Sequence, residues 1–94
     1  MSAYRVSPQC PASGLPIGIT YAFGRLTVEI DEKYLRDNFG PEQMEGTEKD
    51  WQEALTATKL WAERVDGRRM ASVEMAQHFL EREGLNGDYL ERDY

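Results

Sequence analysis

Histidine and cysteine are nearly absent from this chain: His78 and Cys10 stand alone of their kinds among 94 residues. A lone cysteine forms no intrachain disulfide, which fits a reducing, cytoplasmic compartment. Zinc sites usually draw two or more His or Cys ligands, so no metal and no cofactor is expected. The chain has no long apolar run, which excludes a membrane-spanning helix. Its start has neither basic residues nor an apolar stretch, so it does not read as a secretory signal. Gly14, Gly18 and Gly24 lack the spacing of a phosphate-binding loop, and no serine sits in a nucleophile elbow.

Charge is scarce in the first third as well. Residues 1–30 carry only Arg5, Arg25 and Glu29, whereas residues 31–94 carry sixteen carboxylates against nine Lys and Arg. The net charge of −6 excludes direct nucleic-acid binding and attraction to an anionic membrane, because both need clustered cations. It favours a protein partner with a basic surface. Leu, Ile, Val and Phe number 18 of 94, close to the level of about one-fifth below which charged chains stay disordered. Two Trp, five Tyr and four Met add buriable surface, and the apolar residues are periodic. A single domain over 1–94 follows, mainly β and loop over 1–30 and mainly α over 31–94. Its core is small, and a homodimer would add buried area.

Alternation organises the first part. Pro8, Pro11 and Pro16 hold residues 7–16 in an extended loop, and Ala3 to Val6 can add an edge strand before it. Ile17, Ile19, Tyr21 and Phe23 alternate; Leu26, Val28 and Ile30 alternate in the opposite phase. A two-residue turn at Gly24-Arg25 puts both sets on one face, pairing Phe23 with Leu26 and Tyr21 with Val28. One long strand with a bulge at Gly24 is the competing reading.

Helical periodicity organises the rest. Asp31 caps a short helix ending at Gly40-Pro41, with Tyr34, Leu35, Asn38 and Phe39 on its inner edge. Residues 40–46 read as a loop. Thr47 to Asp50 approximates a capping box for a helix to about Asp66, stopped by Gly67. Trp51, Ala54, Leu55, Thr58, Trp61, Ala62 and Val65 form its apolar stripe, and Leu60 falls nearly opposite. Met70 to Glu83 reads as another helix, with Val73, Ala76, Phe79 and Leu80 inward and Glu74, Gln77, His78 and Glu81 outward. Asn86-Gly87 is a turn, and Asp88 to Asp93 a last helical turn or a frayed end. The expected class is α+β, a two-layer fold with an N-terminal antiparallel hairpin of two or three strands packed against two or three helices.

Each chemical motif has a plainer structural reading. Glu74, His78 and Glu81 share a helix face but offer too few metal ligands, so a solvated Glu–His pair is preferred. Glu29, Asp31 and Lys33 resemble the acid-x-Lys triplet of restriction-type nucleases, but no upstream acid exists and Asp31 is needed as a cap. Arg68 and Arg69 precede the last helix and read as surface ion-pair partners. No enzyme is expected.

The acid run Glu42, Glu45, Glu48, Asp50 and Glu53 is the leading functional candidate. Carboxylates on a loop and helix start can be spaced like backbone phosphates and compete for the basic groove of a nucleic-acid-binding protein. Leu60, with Trp61 near the stripe edge, is the candidate apolar contribution to that interface. Size, acidity and an α+β pattern without catalytic groups are similar to the small acidic proteins by which phages block host defence enzymes, anti-CRISPR and anti-restriction proteins among them. That likeness implies a non-enzymatic inhibitor acting as a nucleic-acid mimic. The alternative is an assembly subunit that dimerises through its helices. For the first reading, binding should weaken with salt and with charge reversal at Glu45, Glu48 and Asp50.

Overall fold

The computed structural model describes residues 3–93. Strands β1 (Ala3–Val6), β2 (Gly18–Ala22) and β3 (Arg25–Glu29) are followed by helices α1 (Glu32–Phe39), α2 (Pro41–Met44), α3 (Glu48–Val65) and α4 (Val73–Arg82), then β4 (Glu91–Asp93). The strands form one antiparallel sheet in the order β3-β2-β1-β4. The fold is α+β, a four-stranded antiparallel sheet packed with four helices.

The hairpin forms, but in a different register from the expected one. Tyr21 pairs with Leu26 and Ile19 with Val28, so the two-residue turn is Phe23-Gly24. Both turn residues have positive φ, 55° and 73°, as a type I′ turn requires. The register differs from the expected one by two residues, which leaves every side chain on the same face. Alternation therefore cannot choose between the two. Contacts from outside the hairpin hold the observed one: the Met70 N–H donates to the Gly24 carbonyl at 2.9 Å, and the Tyr21 hydroxyl donates to the Met70 carbonyl at 2.9 Å.

Two further elements depart from expectation at the sheet edges. β1 is interior, flanked by β2 and β4. The C-terminal segment is strand rather than helix, because the Gln77 side chain gives it strand-like partners. Gln77 Nε2 donates to the Asp88 carbonyl, and Oε1 accepts from the Leu90 N–H at 2.8 Å. Gln77 thus faces the C-terminal segment, not solvent. At the other edge β3 is covered by the chain between α3 and α4. Gly67 N–H donates to the Leu26 carbonyl and Leu26 N–H to the Arg68 carbonyl, each at 2.8 Å. That extended stretch delays α4 to Val73, with Ser72 as its cap, three residues later than the periodicity predicts.

The starts of α1 and α3 follow the expected chemistry. Asp31 Oδ1 accepts from the Tyr34 N–H. Thr47 and Asp50 form a reciprocal capping box. Residues 41–44 form a single helical turn instead of loop. Gly40 before it is required by space rather than by φ, since a Cβ there would lie 2.4 Å from the Arg36 carbonyl oxygen. On α1 only Leu35 is buried; Tyr34 and Asn38 are exposed.

Two apolar clusters lie along the molecule. The larger joins Ile17, Ile19, Tyr21 and Leu26 of the sheet layer to Trp61 and Val65 of α3 and Ala76 and Leu80 of α4. The smaller joins Leu15, Leu35, Trp51 and Leu55. Ile30 packs against both. Thr58 is fully buried on α3 and is satisfied by a relay: Leu15 N–H donates to Ser13 Oγ, Ser13 bonds Thr58 Oγ1, and Thr58 donates to the Ala54 carbonyl.

Candidate acidic surface

The five acids of the run sit where α1, α2 and the start of α3 meet. Glu42 is in the first turn of α2, and Glu45 is its left-handed cap, at φ 55°. Glu48 and Asp50 are in the first turn of α3, and Glu53 follows one turn later. All five are exposed. An α-helix turns about 100° per residue, so Glu48 lies on one flank of α3 while Asp50 and Glu53 lie round the other side.

Two of the five have structural partners. The Arg36 guanidinium holds Glu48 through both carboxylate oxygens, at 2.8 and 3.3 Å. Hydrogen bonds from Arg36 and then Gln52 hold the Glu48 carboxyl below its ordinary range, and Glu48 in turn raises Arg36. Asp50 accepts from the Thr47 N–H at 3.2 Å, closing the capping box. The side chains of Glu42, Glu45 and Glu53 have no hydrogen bond or ion pair among the described residues. Asp37, from α1, adds a carboxylate that the linear run does not include. With Arg36, Pro41, Glu42, Gln43 and Glu48 it lines an open groove of about 430 Å³. The turn of the chain at Gly40, between α1 and α2, brings Asp37 there.

Leu60 and Trp61 do not share a surface. Leu60 is 59% exposed on the outer side of α3, whereas Trp61 is 7% exposed. The Trp61 indole N–H donates to the Glu83 carbonyl at 3.0 Å, which fixes it as a core residue. Trp51, also core, is covered by Arg36, whose guanidinium carbon lies 4.4 Å from the ring centroid.

The remaining motifs are separated or occupied. His78 Nδ1 lies 3.7 Å from Glu81, and no group of three His, Cys, Asp or Glu is placed to hold a metal among the described residues. Asp31 is engaged as the α1 cap. Cys10 is 1% exposed, and its carbonyl accepts from Ser13 and Gly14 in a tight turn. Arg68 and Arg69 lie in the extended stretch along β3, where Arg68 Nε donates to the Arg64 carbonyl. No helix among the described residues is long and apolar enough to cross a membrane. No protein-family model, curated protein or solved structure matches the chain.

Proposed function

We propose that this is a non-enzymatic interaction protein whose acidic α2–α3 corner binds a basic surface on a partner protein. One observation carries the reading: Glu42 on α2, Glu45 at its cap and Glu53 on α3 project without a neutralising partner among the described residues. Unpaired exposed carboxylates give a local negative potential, which steers a cationic surface more than it raises affinity. In its narrower form the partner is a nucleic-acid-binding defence complex of the kind phage inhibitors block, and the carboxylates occupy phosphate positions in its basic groove.

Charge reversal at Glu42, Glu45 and Glu53 tests the reading cleanly, because Glu48 and Asp50 also hold structure. The wild type, as bait in a pull-down at low salt, should retain basic proteins that release at about 0.5 M salt, where screening reaches only a few ångströms. The triple Lys variant should retain none of them. Unchanged retention by that variant, or retention indifferent to salt, rejects the proposal.

A second reading rests on Leu60, a large apolar side chain left exposed on α3. It makes the chain a homodimer through its helices. Light scattering should then give twice 10.8 kDa, falling to the monomer mass on Leu60→Glu.

A further inference from the structure

The opposite end of α3 carries a surface of the opposite character. The extended stretch after α3 is pinned along β3, which sets Met70 beside the hairpin tip through the Met70-to-Gly24 hydrogen bond. There Met70, Met75, His78, Phe79 and Arg82 line an open groove of about 290 Å³. Its floor is apolar and adaptable: Met75 is 51% exposed, and Met70 and Phe79 are half-buried. Phe23, at the neighbouring turn, is 77% exposed and held at positive φ, where an aromatic residue is disfavoured.

The rim is cationic. Arg68 lies 5.5 Å from the Phe79 ring centroid. Arg82 lines the groove, and Arg25 and Arg69 face each other across a strand bridge near the same tip. Among the described residues Arg25, Arg69 and Arg82 hold no carboxylate. Glu81 on the same helix as Arg82 lies 3.7 Å from His78 Nδ1, and Glu74 precedes Met75 in the chain. On a chain of net charge −6, Arg82 lines this groove and Arg68 lies over its phenylalanine.

We infer that this groove docks an acidic amphipathic segment of another protein, with apolar side chains on Met70, Met75 and Phe79 and carboxylates on Arg68 and Arg82. Flexible thioethers accommodate varied apolar side chains, and guanidinium forks match carboxylates. The arginines pair with phosphate as readily as with carboxylate, but a nucleic acid fits less well because the floor of Met70, Met75 and Phe79 matches apolar side chains rather than a sugar–phosphate backbone. The site is separate from the acidic corner and does not depend on it: the 18 residues of α3 span about 27 Å between the two.

The four methionines make the test direct, since Met44 serves as a remote control. Methyl-labelled protein is titrated with a synthetic helix-forming peptide bearing Leu and Phe at i, i+3 and i+7 and Glu elsewhere. The Met70 and Met75 methyl signals should move and Met44 should not. Met75→Glu and, separately, a combined Arg68→Glu and Arg82→Glu variant should each weaken binding at least about tenfold, a loss typical of central contacts. Both variants change exposed side chains, and circular dichroism checks that the fold persists. The inference is overturned if the peptide moves neither signal, if a Lys-for-Glu peptide binds equally, or if a single-stranded oligonucleotide moves the same signals more strongly. It is also overturned if those signals move with protein concentration alone, which would place a second copy in the groove.

Discussion

Phe23 and Glu48 each show a side chain working against, or with, its local conformation. Phe23 occupies the first position of a type I′ turn at φ 55°, where Asn is favoured because its short polar side chain tolerates the left-handed region. Phe23→Asn should therefore stabilise the fold by about 0.5–1 kcal/mol, read as a raised urea midpoint at unchanged slope. Glu48 has a lowered pKa because Arg36 and Gln52 hydrogen-bond its charged form. Its contribution is fully present above the unfolded carboxylate value of about 4.3 and is lost as pH falls through the lower folded value. Glu48→Gln should flatten stability against pH on that acid side, measured by denaturation between about pH 2 and pH 6. About half of each side chain is exposed, so added salt should shrink the difference.

At the scale of elements, side chains from one segment decide the conformation of another. Gln77 on α4 supplies a donor and an acceptor to residues 88–90, and β4 then pairs with β1. Gln77→Ala should release that strand while α4 stays helical. Hydrogen exchange should show faster amides across 90–93 and unchanged protection in α3. Capping chemistry is local, so the starts of α1 and α3 were legible from Asp31, Thr47 and Asp50 alone. The start of α4 was not, because residues 67–70 exchange a helical turn for hydrogen bonds to β3 and to the turn before it, which sequence order does not reveal.

At the scale of the whole molecule, two apolar clusters share Ile30, and each contains one tryptophan. Trp51 reports the smaller cluster and Trp61 the larger. If burial around Ile30 couples them, the single-tryptophan variants Trp51→Phe and Trp61→Phe should unfold with coincident fluorescence and circular dichroism midpoints. Separated midpoints would show that the clusters melt independently. The charge pattern is also a property of the whole: α3 has the acidic corner at its start and the arginine-rimmed groove beyond its end.

Sequence alone determined what depends on neighbours along the chain: the α+β class, the face the hairpin buries, the caps of α1 and α3 and the stripe that buries Trp51 and Trp61. Periodicity and short-range hydrogen bonding act within a few residues, so they are written into the order of residues. Tertiary structure decided what depends on distant partners. It set the hairpin register, made residues 91–93 a strand, gave Glu48 to Arg36 and placed Met70 beside Met75. A two-residue register shift leaves every side chain on the same face, so only contacts from elsewhere in the fold can distinguish the alternatives.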